Sequence, residues 1–249
     1  MSELFDRGRL QALLDTGTGK GVRVAMLDTG VDEDHPDLAG RIAGSYEIVR
    51  SEGGHACEPA RGTDEVGHGT ACAGIIKRIA PEAELHSVKV IGAGARGSSD
   101  ELVRGLRWAI DNGMHVISAS LGTLDHRSRD KISDLADEAY YRGIVVVAAA
   151  NNRGQVAYPA NLSSVLAVDS EAMNDPLCFR YRLNTPIELE ANGIYVEAPS
   201  PGGGTKFYTG TSFACPHASG IVARILSVHP DLQPFEVRTI LHRLSARQP

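Results

Sequence analysis

The sequence has no apolar run approaching the ~18–20 residues that a membrane-spanning helix needs, so no segment reads as a transmembrane helix. Cysteine is scarce: four in 249 residues, at Cys57, Cys72, Cys178 and Cys215. None forms a CxxC pair, and their density is too low for a disulfide scaffold, so buried free thiols are the expectation. An excess of positive charge is also missing. Lys and Arg number 25 against 31 Asp and Glu, a net charge of −6, which disfavours nucleic acid or an anionic membrane as the main partner. The first 18 residues carry Glu3, Asp6, Arg7, Arg9 and Asp15 among their leucines, which is not the pattern of a signal peptide. There is no internal repeat, linker or low-complexity stretch. These absences together give the expectation of a soluble protein of a reducing compartment, intracellular (cytoplasmic), or secreted if the chain is a processed fragment. One domain over residues 1–249 is the simplest count, with residues 1–20 as an N-terminal extension containing a short helix.

What is present is a strand–helix alternation. Residues 3–14 have the leucine spacing of a short amphipathic helix. Residues 22–27 form an apolar strand candidate ending in Asp28, and residues 50–67 are Gly-rich and charged, hence read as loop. Small residues over 71–76 suggest a helix opened by Gly67-His68-Gly69-Thr70. Strands follow at 85–90, 116–121, 144–149 and 165–168. Helices are expected at 98–112, where Ser98 and Glu101 make a capping box, at 130–142, at 213–228, and from Pro234. Gly113 and Gly143 are placed to end two of them. Strands that are apolar throughout point to a parallel sheet buried on both faces. The fold class is therefore α/β: a doubly wound, mostly parallel sheet with helices on both faces, in three layers. In such sheets functional groups gather beyond the carboxyl ends of strands.

Near the C-terminal end, Gly210-Thr211-Ser212 leads into an apolar helix. A hydroxyl there lies at the positive end of the helix macrodipole, which favours developing negative charge. Serine is a weak nucleophile and needs a base, and the base needs something to orient it. His68, between two glycines at a helix start, could take the serine proton. Asp28, at a strand end, could hold the imidazole. Alone, each has a plainer explanation as a cap or turn residue. The order Asp, His, Ser is that of one known arrangement of the catalytic triad.

The surrounding text changes the odds. Val24-Ala25-Met26-Leu27-Asp28-Thr29-Gly30, Gly67-His68-Gly69-Thr70-Ala71-Cys72-Ala73-Gly74 and Gly210-Thr211-Ser212-Phe213-Ala214-Cys215-Pro216-His217 closely resemble the three signature motifs of the subtilisin family (subtilases). The resemblance covers residues 21–241. It implies a serine endopeptidase acting through a Ser212 acyl-enzyme, with Asp28, His68 and Ser212 as triad. The block Asn151-Asn152-Arg153-Gly154 resembles the family segment that supplies an oxyanion donor, which implies that role for Asn152 beside the Ser212 N–H. No cofactor is implied, and the partner is a polypeptide in extended conformation.

The resemblance also implies a substrate groove. Ser120-Leu121-Gly122 is similar to the segment that pairs with an extended peptide, and Arg96-Gly97-Ser98 to the opposite wall. The primary pocket would be bounded by residues 120–122, 149–152 and 157–159, and Tyr158-Pro159 would be a cis peptide bond. Asn151 stands where the family usually has glycine, and a turn role is its simpler reading. Ala157 replaces a glycine at the pocket floor and should trim the largest side chains. Arg153 sits by the rim, either as a solvated charge or as a group that biases the site toward an acidic P1 residue. Three other departures are visible. Residues 75–81 leave no room for the calcium loop of many secreted subtilases, so Asp37 is expected to be a turn residue and no metal site is expected. Residues 169–192 do not follow the family text. Only about 21 residues precede the first strand, short for a secreted member with a pro-domain. Cys72 and Cys215 should lie near the triad as packing groups. Two rivals remain: a processing peptidase or transpeptidase dedicated to one precursor, and a catalytically silent binding protein on the same fold.

Overall fold

The computed structural model describes residues 7–51, 54–92, 94 and 97–245; the expected helix residues 3–6 and the wall residue Arg96 lie outside the described residues. A nine-stranded sheet runs through the middle in the order β3-β2-β4-β1-β5-β6-β7-β9-β8. Its parallel core is β1 (Arg23–Asp28), β4 (Glu84–Lys89), β5 (Val116–Ala119), β6 (Val145–Ala149) and β7 (Leu166–Glu171). Toward the edges lie β2 (Ile42–Ser51), β3 (Gly54–Pro59), β8 (Phe179–Tyr181) and β9 (Leu189–Asn192); β2 and β9 stay parallel to their inner neighbours, while β3 and β8 pair antiparallel.

The pleat divides the core in two. Val24 and Met26 of β1, and Val145 and Val147 of β6, face one apolar layer; Ala25, Leu27, Val146 and Ala148 face the other. Because both faces are covered, both sets of alternating positions are apolar, which is why the strands show no polar alternation. The first layer is closed by α1 (Arg7–Thr16), α2 (His68–Ile79), α5 (Thr211–Val228) and α6 (Pro234–Ser245), and the second by α3 (Ser99–Asp111) and α4 (Arg129–Tyr141). This is the doubly wound, three-layer arrangement expected. The Ser98–Glu101 capping box forms at the head of α3, and Gly113 and Gly143 adopt positive φ just beyond α3 and α4.

Two close approaches set the geometry of the helices that matter. A Cβ on Gly69 would lie 2.0 Å from the Gly30 carbonyl oxygen, so only glycine lets the head of α2 sit on the turn after β1. A Cβ on Gly220 would meet Ile79 at 2.5 Å, so α5 and α2 also touch through a glycine. Arg224 of α5 then donates to the terminal carbonyls of both neighbours, to Leu14 at 2.7 Å and to Ile79 at 2.8 Å. Leu10, Leu13 and Leu14 of α1 are buried in the same layer.

Some boundaries differ from the sequence reading. The expected loop over residues 50–67 contains the end of β2 and all of β3, an antiparallel hairpin. Tyr46, Ile48 and Cys57 of this hairpin pack against the α3 layer, while Glu47 and Glu58 between them keep its composition polar. The strand read over 116–121 stops at Ala119, because β1 and β6 pair no further; Ser120 onward leaves the sheet. The unfamiliar residues 169–192 build the far edge of the sheet. There Glu190, nearly buried, is held by Arg180 at 2.8 Å and Arg182 at 3.0 Å. A small hairpin, β10 (Val196–Pro199) with β11 (Thr205–Tyr208), precedes α5.

Candidate active site

Asp28 is the last residue of β1 and is fully buried. Its Oδ1 accepts the Thr29 N–H at 2.8 Å and lies 2.7 Å from His68 Nδ1. His68 is the first residue of α2, three residues earlier than the sequence pattern alone suggested for that helix. Ser212 is the second residue of α5, so its hydroxyl sits within the first turn. The Phe213 ring packs at 5.0 Å centroid distance on the His68 ring and at 4.8 Å on Tyr208. Burial disfavours the charged form of His68, but the adjacent Asp28 carboxylate and, after it, the Cys72 sulfur together more than offset it, and the imidazole pKa is raised.

The head of α2 depends on a residue that sequence reasoning missed. Asp64 is nearly buried, and its carboxylate accepts five hydrogen bonds: from Thr29 Oγ1, Val66 N–H and Gly67 N–H on one oxygen, and from Thr70 N–H and Oγ1 on the other. Thr29 Oγ1 in turn accepts the Gly69 N–H at 2.9 Å. The helix cap itself, Gly67, offers no side chain, so Asp64 takes up the cap N–H and the Thr70 N–H of the first turn and places negative charge at the positive helix end. One carboxylate thus binds the segment after Asp28 to the segment carrying His68. The available signal was an aspartate four residues before His68, at the mouth of a helix.

Asn152 lies three residues past the end of β6. Its Oδ1 accepts the Thr211 N–H at 3.1 Å, and Thr211 Oγ1 donates to the Ala150 carbonyl at 2.7 Å. These bonds tie the turn after β6 to the head of α5. A cleft of about 120 Å³ opens between them, lined by Ser120, Leu121, Gly122, Ala149, Ala150, Asn151, Asn152, Ala157, Thr211 and Ser212. The walls are joined where Thr123 and Tyr158 exchange backbone hydrogen bonds of 2.8 and 2.9 Å. Tyr158-Pro159 is cis. Asn151 acts within its own turn, its Oδ1 accepting the Arg153 N–H at 2.9 Å. Gly97 and Ser98 do not line this cleft. They line an adjoining cavity of about 330 Å³ that shares Leu121 and Gly122 with it. Arg153 is exposed and lies outside both.

Behind the cleft are the two helix thiols. Pro216 has no N–H, so the Ser212 carbonyl lacks its usual helical donor; Cys72 Sγ occupies that space, 3.4 Å from the Ser212 oxygen. Cys72 Sγ is also 3.8 Å from His68 Nδ1. Cys215 approaches the Val147 carbonyl at 3.5 Å. Both are buried, while Cys57 and Cys178 are half-buried, and all four are free.

Residues 19–247 match the profile of the subtilase family, peptidase S8. The chain belongs to the subtilase family. It is 35% identical over 235 residues to subtilisin BL of Lederbergia lenta, covering 90% of this chain and 83% of that protein. It is likewise 35% identical over 236 residues to subtilisin E of Bacillus subtilis strain 168, covering 89% of this chain and 59% of that one. Against M-protease of Shouchella clausii strain KSM-K16, the match covers 90% of this chain and 59% of the relative's length. Among solved structures, Sphericase superposes with a TM-score of 0.76 at 28% identity, covering 94% of this chain and 87% of that one. S41 Psychrophilic Protease gives the same TM-score at 27% identity. Among the described residues of this subtilase, no helix is long and apolar enough to cross a membrane.

Proposed function

We propose that the chain is a subtilisin-like serine endopeptidase in which Asp28, His68 and Ser212 form the catalytic triad and Asn152 supplies an oxyanion donor. The observation that carries this reading is the 2.7 Å contact between fully buried Asp28 and His68 Nδ1 at the head of α2. With Nδ1–H donated to Asp28, Nε2 is the nitrogen free to accept a proton. Ser212 Oγ gives up its proton to Nε2 and attacks the scissile carbonyl. The resulting imidazolium is stabilised by Asp28 and returns the proton to the leaving amine. Water then repeats the sequence on the acyl-enzyme. With the Asn152 Oδ1 held by Thr211, its amide NH₂ is the group left to bind the oxyanion, with the Ser212 N–H as the second donor.

The substrate is an extended polypeptide lying along Ser120-Leu121-Gly122, with its P1 side chain in the cleft floored by Ala157 and further residues reaching the cavity beside Gly97 and Ser98. Main-chain pairing gives affinity there with little sequence preference. Two buried thiols beside the site favour a reducing, intracellular setting. The test is labelling with a serine-directed fluorophosphonate, with Ser212→Ala as control. Labelling of the wild type and none of the variant is expected. Product masses from a peptide mixture containing free amines should show hydrolysis; a silent fold would show neither label nor product, and a transpeptidase would show ligated product.

A further inference from the structure

The hairpin ahead of α5 turns an aromatic face to solvent. Its register pairs Val196 with Tyr208 and Glu197 with Phe207. Directly paired residues share a face of a sheet. Val196 is buried and Tyr208 stacks on Phe213, so that pair points inward and Phe207 points outward. Phe207 is 61% exposed, and the ring beside it, at 5.2 Å between centroids, belongs to Tyr195, which is 75% exposed. Tyr195 also has a φ of 56°. Glycine and asparagine take that left-handed conformation readily, and a bulky side chain does so at a cost in strain. The turn into β10 would therefore form more easily without this ring. It is fixed to the other end of the hairpin, where the Tyr195 N–H donates to Thr209 Oγ1 at 3.0 Å.

We propose that Tyr195 and Phe207 form a subsite for one large apolar side chain on the leaving-group side of the substrate. This assignment rests on the peptidase reading above, which lays the acyl part of the chain along Ser120-Leu121-Gly122 and the leaving amine at His68. The His68 ring is covered by Phe213 at 5.0 Å, and Phe213 by Tyr208, the residue after Phe207. A leaving segment that passes His68 on this side therefore meets β11. Among the described residues β11 pairs only with β10, so its other edge is open to an extended chain. Phe207 precedes Ser212 by five residues, at most about 17 Å of chain, and an extended substrate advances about 3.3 Å per residue. The aromatic pair is thus within reach of a residue three to five places beyond the scissile bond. Backbone pairing along a strand edge has little sequence preference of its own, so the exposed rings supply the selectivity there. An aromatic or branched aliphatic side chain laid on them removes apolar surface from water on both partners.

The test uses peptides with one common sequence up to the scissile bond and five residues beyond it. These are either glycine throughout or carry a single Phe at the third, fourth or fifth place. The wild type should cleave at least one Phe peptide with a kcat/KM roughly tenfold above that of the glycine peptide, the factor that goes with burying about half of a Phe side chain. Phe207→Ser and Tyr195→Ser should each abolish most of that ratio. Tyr195→Gly removes the ring and relieves the backbone, so it should lose the preference while melting no lower than the wild type; Tyr195→Phe should keep it. A nitroanilide with the same acyl side has nothing to lay on the pair, and all four variants should hydrolyse it at the wild-type rate.

A wild-type ratio near one, or a ratio unchanged in both serine variants, would overturn the subsite. So would an equal fall on the nitroanilide and on the peptides, which marks a purely structural role. If the wild type hydrolyses none of these substrates, the peptidase reading falls. The affinity of the Ser212→Ala protein for the same peptides, with and without Phe207→Ser, then decides whether the rings hold a Phe side chain.

Discussion

Asn152 points its side-chain oxygen at the Thr211 backbone N–H, 3.1 Å away, across the gap between the end of β6 and the head of α5. The amide is thereby held by the same turn that presents Ser212, and its NH₂ is left for the cleft. A donor fixed this way costs no reorganisation when negative charge develops on the substrate oxygen. Replacing Asn152 with Leu should lower kcat by roughly 10²–10³ and leave KM nearly unchanged, because the bond exists in the transition state and not in the bound substrate. Steady-state kinetics on a peptide substrate give both constants. An effect confined to KM would mean that Asn152 only helps to hold the substrate.

The Asp28–His68 pair sets the pH response. Burial alone would lower the imidazole pKa, but Asp28 first, and Cys72 after it, raise it above the ordinary value of about 6.5. On the proposed reading neutral His68 is the base, so activity should fall on the acid side through a limb lying above that value. Asp28→Asn should move the limb toward acid and lower kcat by roughly 10⁴, since the imidazole loses both its orienter and its counter-charge. The sign for stability follows from the same shift. A raised histidine pKa stabilises the fold fully below about pH 6.5, and the contribution fades as pH rises through the folded value. Profiles of kcat/KM against pH for wild type and D28N decide the point; coincident acid limbs would remove Asp28 from this role.

Most of the layered core was readable because the inner strands β5 and β6 carry runs of small and apolar residues without polar alternation, and because signals such as the Ser98–Glu101 box mark a helix start. The hairpin at β2 and β3 was not, since a strand buried on one face at the sheet edge keeps the charged, Gly-rich composition of a loop. The pieces of the site were legible one at a time, from their positions at strand ends and helix heads. Their binding together was not. Asp64 joins two segments of chain through hydrogen bonds to backbone N–H groups and to the hydroxyls of Thr29 and Thr70, and backbone partners leave no mark in sequence. The same holds for the space beside Ser212, where the missing N–H of Pro216 mattered only once Cys72 was seen to fill it.

Asp64 yields the stability prediction. Removing its carboxylate strands several buried donors at the head of α2, each costing about 1–3 kcal/mol when unsatisfied. A net loss of about 3 kcal/mol is expected for Asp64→Ala, after some donors find water. For a chain of this size, about 2–4 °C of melting temperature goes with each kcal/mol, giving a fall of roughly 6–12 °C. Asp64→Asn should fall between, because an amide keeps one acceptor oxygen and turns an NH₂ toward the other donors. Differential scanning calorimetry of the three proteins tests the order. Equal melting temperatures for D64A and wild type would show that the carboxylate does not secure the helix.

The floor of the cleft gives the specificity prediction. Ala157 is buried, its backbone N–H donates to Asn161 Oδ1 at 2.9 Å, and its methyl faces Gly122 across the cleft. The backbone is therefore pinned, and the methyl takes up space in a volume of only about 120 Å³. Small P1 side chains should be preferred. Ala157→Gly opens the floor by one methyl, worth about 1–3 kcal/mol for a side chain that needs the room. The ratio of kcat/KM for Phe over Ala at P1 should rise roughly 10–200-fold in A157G and fall in Ala157→Val. The same peptide panel, extended to Glu and Lys, reads the rim. Arg153 is exposed to solvent, where its field is screened within about a Debye length, so it can produce a bias toward Glu and no strict selection. Equal turnover of Glu and Lys would leave Arg153 without a part in specificity, and an unchanged Phe to Ala ratio in A157G would take the floor away from Ala157.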